Sequence, residues 1–129
     1  MAASISLRNT CDKLIDELMM QVKGVKAVVV ASEDGFEVAA RVQHTAQVSR
    51  LSAMASSLAA LGAMAGAESQ LGECQSMLMQ ADGGYIAIVQ VRRPDVSLII
   101  SVITDQEAVV GQVIYASKKM AQTLREVAV

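Results

Sequence analysis

Few residues of this 129-residue chain are of a type and spacing that could do chemistry. Glu33 and Asp34 are adjacent carboxylates, the kind of pair that can hold a metal or divide acid and base roles. They stand in Ser32-Glu33-Asp34-Gly35, however, a turn in which neighbouring side chains have no need to converge. His44 is the only histidine, and it would act as a general base only with a nucleophile and an orienting carboxylate around it. Nothing in the sequence places them there, so it reads as a loop or cap residue. Cys11 and Cys74 are far apart and belong to no CxxC or Cys/His cluster, too few ligands for a metal site and too few cysteines for a secreted disulfide scaffold. They read as reduced, partly buried thiols of a cytoplasmic protein. Arg92-Arg93 reads as a solvated turn. Gly83-Gly84 follows Asp82 as a hairpin turn, and with no GxxxxGK(S/T) or GxGxxG pattern it is not a phosphate loop. The chain therefore reads as a non-enzyme without cofactor or metal, and its function must lie in its surfaces.

Composition narrows the kind of surface. Hydrophobic residues make up 53% of the chain and charged residues 19%, against roughly 25% charged in an ordinary soluble domain, so little of the protein can be solvated charge. That favours an oligomer. The net charge of -2 and pI near 5.3, without a basic run, exclude nucleic acid as a partner, because phosphate neutralisation needs clustered cations. One Phe, two Tyr and no Trp leave a core of small and aliphatic side chains with eight Met. Residues 1–129 fit a single domain. Arg8, Asp12 and Lys13 interrupt any signal-peptide pattern, so the N-terminus reads as a native start.

The elements that must present such a surface follow from periodicity. Leu7, Cys11, Leu14, Ile15, Leu18 and Val22 recur at helical spacing, predicting an amphipathic helix from about Ser6 to Val22, stopped by Gly24. Val25 to Ala31 is a β-branched run, apolar on both faces after Lys26, and predicts a central strand. Phe36 to Val42 returns from the Gly35 turn as its hairpin partner. Thr45 is the expected N-cap of a middle helix that Gly72 closes. Cys74 to Ala81 and Tyr85 to Val91 form a second hairpin, Pro94 ends the ladder, and Val96 to Ile103 is the most apolar strand and hence central. Thr104 and Glu107 have the spacing of a capping box. The last helix carries Val113, Met120 and Leu124 at helical spacing, with Lys118, Lys119 and Arg125 where its dipole favours them. The order α-β-β-α-β-β-β-α predicts an α/β protein of the α+β type, an antiparallel five-stranded sheet covered by helices on both faces.

The middle helix, Val48 to Ala67, lacks the broad polar face of a surface helix and must be covered on more than one side. At about 100° per residue, Leu51, Met54, Ala55, Leu58, Leu61, Gly62 and Ala65 form a bulky sector expected to cover the sheet. Ser49, Ser52, Ser56, Ala60, Ala63 and Ala67 form a second sector with no large side chain, expected to meet the same helix of a second copy at close range. Arg50, Ser57, Met64 and Glu68 remain as a thin strip for another partner. The span from Leu51 to Ala67 approaches transmembrane length, but it is Ala-, Ser- and Gly-rich and closely bracketed by Arg50 and Glu68, so direct membrane insertion is not expected.

The succession GVKAVVVASEDGFEVA, LSAMASSLAALG and GECQSMLMQADGGYIAIV, in this order and over nearly the whole chain, resembles the Roadblock family. This is the dynein-light-chain and bacterial gliding-regulator group of small dimers. The resemblance implies a five-stranded antiparallel sheet with the middle helix on one face and the terminal helices on the other, a profilin-like layering. It implies a homodimer formed through the middle helix and the strand after it, which brings in Gln75, Met77 and Met79. It further implies binding of a small Ras-like GTPase, and in the gliding type stimulation of GTP hydrolysis by repositioning the GTPase's own groups. Were an arginine inserted instead, Arg41, Arg50, Arg92 and Arg93 would be the candidates. The chain ends soon after its last helix, without the tail of the activator type, which makes binding a firmer expectation than activation. Two other readings stay open: a scaffold or motor light-chain-like adaptor without effect on nucleotide turnover, and a small-molecule sensor. The sensor requires a pocket with convergent polar groups, which the scarcity of aromatic and buried-looking polar residues disfavours.

Overall fold

The computed structural model describes residues 4–42 and 48–128; His44 and the N-cap expected at Thr45 lie outside them. Helix α1 (Ile5–Gln21) starts at Ser4, whose hydroxyl accepts the Leu7 amide at 3.0 Å, and it buries Leu7, Cys11, Ile15 and Leu18. Strands β1 (Val25–Ser32) and β2 (Glu37–Val42) form the first hairpin, and α2 (Val48–Glu68) follows. Strands β3 (Ser76–Ala81), β4 (Gly84–Val91) and β5 (Leu98–Thr104) lead to α3 (Val110–Glu126).

All four strand pairings are antiparallel, in the order β2-β1-β5-β4-β3. The central strand is β5, as expected of the most apolar strand. Alternation along the strands divides the core in two. Val28, Val30, Ile100 and Val102 point to the side where α1 and α3 contribute Leu7, Ile15, Val113 and Leu124. Ile88 and Ile99 point to the opposite side and meet Ala55 and Ala59 of α2. The middle helix thus covers one face and the terminal helices the other, the layering implied by the resemblance.

Three local expectations are corrected. Gly72 does not close α2. Gln70 adopts the left-handed conformation (φ 59°), while the Leu71 amide reaches the Gly66 carbonyl at 2.9 Å and the Gln70 amide the Ala67 carbonyl at 3.1 Å. This is a Schellman cap two residues earlier than expected, with a non-glycine residue in the glycine place. Thr104 and Glu107 form no capping box. Thr104 ends β5, where its hydroxyl accepts the Tyr85 amide at 3.1 Å, and the Asp105 carboxylate takes the Glu107 amide at 2.8 Å. Those groups are spent on a turn, and α3 begins at Val110.

Arg92-Arg93 is a solvated turn only in its first residue. Arg92 is exposed and pairs with Glu73 at 2.9 Å, whereas the Arg93 side chain is 4% exposed. It donates to the carbonyls of Leu124 and Val127 at the end of α3.

Candidate interaction surface

The helix that carries the expected surface packs the reverse way round from the sequence expectation. Ser52, Ala55, Ala59 and Gly62 are its buried residues. They recur every three or four positions and form a stripe of small side chains laid on the sheet. Gly62 shows why bulk is absent there, because a Cβ at that position would lie 2.7 Å from the Met77 Sδ and 3.0 Å from the Cys74 Sγ. Met54, Leu61 and Met64 instead face outward, 48%, 58% and 63% exposed. Of the sector expected to cover the sheet, only Ala55 and Gly62 are buried; Leu51 and Leu58 are half-buried, and Ala65 is exposed.

The residues assigned to the small sector are separated by the same rotation. Ser52 is fully buried on the sheet side and leaves the exposed set; its hydroxyl has no hydrogen-bond partner among the described residues. Ser56 is half-buried and donates to the Glu33 carbonyl at 2.5 Å, tying α2 to the β1–β2 turn. Ser49, Ala60, Ala63 and Ala67 are exposed along one flank, and Ala60 and Ala63 line a cleft of about 330 Å³ between α2 and the ends of β4 and β5.

At the sheet edge, Gln75 and Met79 are exposed, and Met77 packs partly buried under α2. Strand β3 pairs only with β4, so its outer edge is open within the protomer. Arg50, Ser57, Met64 and Glu68 are all exposed. Their spacing sets them in a line along the outer face, with Met54 and Leu61 beside it. The surface therefore holds two large apolar side chains that the sequence reading had assigned to the sheet. Their exposure had no signal in the sequence, since an all-apolar helix does not reveal which side is in.

Three of the four arginines considered for insertion into a partner are paired within the protomer. Arg41 reaches Asp16 at 3.0 Å and Asp12 at 3.6 Å, and the Asp16 hydrogen bond raises the arginine pKa above its ordinary value. Arg92 and Arg93 are engaged as described. Of the four arginines considered for insertion into a partner, Arg50 alone is exposed with no carboxylate partner among the described residues. Burial pushes the Cys11 thiol up to about 11, and both cysteines are free. Among the described residues no three His, Cys, Asp or Glu side chains come together as metal ligands. By length and composition alone α2 could cross a membrane. In the fold, its small stripe covers Ile88 and Ile99.

The architecture is shared with known proteins. A Roadblock/LC7 domain from Streptomyces avermitilis superposes with a TM-score of 0.78 at 20% identity, covering 88% of this chain and 93% of that one. Myxococcus xanthus MglB gives 0.76 at 15% identity, covering 95% and 94%. A structure of MglB with tetrameric arrangement gives 0.80 at 16% identity, covering 97% and 92%. No curated protein matches the chain significantly by sequence. The sequence itself matches the Roadblock/LC7 domain over residues 11–102, from α1 into β5, and with the fold in agreement this chain belongs to the Roadblock/LC7 family.

Proposed function

We propose that the chain is a homodimeric, cytoplasmic binding and regulatory module for a small Ras-like GTPase, and that the outer side of α2 is its working surface. The observation that carries this reading is the inverted packing of α2, with Ala55, Ala59 and Gly62 against the sheet and Met54, Leu61 and Met64 in solvent. A lone protomer gains nothing from that arrangement. Large apolar side chains grouped on one exposed face, next to an open strand edge, are what a partner covers.

In a two-fold dimer the same patch serves both copies. Met54, Leu61 and Met79 would lie in the contact together with the exposed small residues Ser49, Ala60, Ala63 and Ala67. The strip of Arg50, Ser57, Met64 and Glu68 would then run beside the contact from each copy and form one platform for the GTPase. The tetrameric arrangement of a structural neighbour supports self-association, and the resemblance to gliding regulators supports a GTPase as partner.

Two substitutions test the dimer and locate its seam. Leu61→Glu should yield monomer in sedimentation with an unchanged thermal midpoint, because Leu61 is exposed in the protomer. Ala63→Glu tests the small flank in the same way, and a dimer that survives both refutes the α2 contact. The GTPase half is tested by binding of the dimer to each purified Ras-like GTPase of the source genome. Binding with altered hydrolysis or exchange supports regulation, binding without it selects the adaptor reading, and no binding overturns the proposal.

A further inference from the structure

We infer that the β1–β2 tip and the cleft beside it form a second, partner-selecting contact, an acidic-rimmed aromatic knob that takes a basic, aliphatic loop of the bound GTPase. The inference rests on the GTPase reading above and adds to it a site outside the α2 strip.

Phe36 is the only phenylalanine in the chain, and it is 67% exposed. The core uses no fully buried aromatic at all. A Phe side chain can contribute more apolar contact than almost any other, so a fold short of aromatics leaves this one unused for its own stability. Aromatic side chains are enriched in the central contacts of protein interfaces.

The knob is held in place before any partner arrives. The Ser32 amide donates to the Phe36 carbonyl at 2.9 Å, the Gly35 amide to the Ser32 carbonyl at 3.0 Å, and the Phe36 amide to the Ser32 hydroxyl at 3.3 Å. The Ser56 hydroxyl fixes the tip to α2 through the Glu33 carbonyl. A preordered anchor loses little freedom on binding.

Charge and shape state what the partner must offer. Glu33 and Glu37 are exposed on either side of the turn that carries Phe36. Arg8 is bonded to the Val38 carbonyl at 3.0 Å, and Arg41, at the far end of β2, is paired with Asp16 and Asp12. Glu33 also lines the cleft of about 330 Å³, whose floor includes Ala59, Ala60, Ala63, Leu98 and Ile99; Arg92 at its other side is paired with Glu73. An apolar floor with Glu33 at its rim, beside the acidic tip, fits an aliphatic side chain flanked by lysine or arginine. The site is continuous with the α2 face: a Cβ on Gly35 would sit 3.4 Å from the Ala53 Cα, and Met54 follows.

The test uses the full chain and the GTPase that binds it, loaded with GDP or a non-hydrolysable GTP analogue. Phe36→Ala should weaken binding by roughly tenfold or more, with the thermal midpoint and sedimentation of the free dimer unchanged, and Phe36→Tyr should retain most of the affinity. Glu33→Lys with Glu37→Lys should slow association and flatten its salt dependence. If these variants bind as the unsubstituted chain does, while Met64→Glu does not, the inference fails and the GTPase reading stands. If Phe36→Ala shifts the monomer–dimer balance, the tip is a self-contact and the inference is overturned. If no GTPase binds the unsubstituted dimer, both fall.

Discussion

The Arg93 guanidinium and the Asp95 carboxylate meet in a fork, Nε to Oδ1 and Nη2 to Oδ2, both at 2.9 Å. The remaining guanidinium nitrogen donates to the carbonyls of Leu124 and Val127, which at the end of α3 lack partners within the helix. One side chain thus closes the β4–β5 turn and fastens the last helix to it. Asp95 holds the arginine in the planar orientation this requires.

Replacing Arg93 by Ala should therefore cost roughly 2–3 kcal/mol, since it removes charge-assisted bonds from a nearly buried site. Arg93→Lys should recover little of it, because an ammonium cannot fork. Urea denaturation of the variants measures both losses.

The same pair sets an acid limit. The Arg93 hydrogen bond lowers the Asp95 pKa from 3.8 to about 2. A carboxylate depressed on folding adds stability that is present above its unfolded value and is lost as pH falls through the folded one. The contribution should therefore fade between the ordinary value of 3.8 and about 2. Asp95→Asn should be less stable at neutral pH by up to about 1 kcal/mol and should lose less than the unsubstituted chain across that window. Parallel acid titrations by circular dichroism would show whether the two curves converge.

Adjacent glycines in the β3–β4 turn should behave oppositely. A Cβ on Gly84 (φ 151°) would lie 2.0 Å from the Thr104 carbonyl oxygen, whereas one on Gly83 meets nothing within 4 Å. Gly84→Ala should destabilise by about 2 kcal/mol or more, because the clash is with backbone and the conformation resists a side chain. Gly83→Ala should be close to neutral. Thermal midpoints of the two proteins compare them directly.

Gln70 offers the reverse case, a position where glycine should help. It holds the left-handed place in the α2 cap at φ 59°. Gln70→Gly should stabilise the protein by about 0.5–1 kcal/mol, provided the relief of strain exceeds the added freedom of the unfolded chain. An unchanged or lowered urea midpoint would show that the cap tolerates its glutamine without strain.

The two thiols should label in sequence. Cys11 is buried and held protonated by that burial, its pKa near 11, while Cys74 is only half-buried. Since the thiolate is the reactive form, iodoacetamide at pH 8 should modify Cys74 first and Cys11 only on unfolding. Peptide mass spectrometry over a time course would reveal the order.

Local patterns were enough to read most of the architecture. The stripe from Leu7 to Leu18, the Gly35 and Asp82-Gly83 turns and the strongly apolar run of β5 each state their structure within a few residues. They do so because side-chain period and turn chemistry are properties of short segments. Arg50 and Glu68, the only charged residues of α2, are exposed at its two ends as their charge predicts.

Packing alone decided the rest. In a helix apolar on nearly every side, rotation about the axis is not encoded by hydropathy. It is chosen by the space above Ile88 and Ile99, which admits Ala55, Ala59 and Gly62 and turns Met54 and Leu61 out to solvent. Arg93 could not be told from Arg92 by type, because only the return of α3 past the β4–β5 turn supplies carbonyls for one of them. Thr104 was misread because its hydroxyl finds the Tyr85 amide across the sheet before it can cap a helix. In each case the side chain's role depends on a distant segment, a distance that no window along the chain contains.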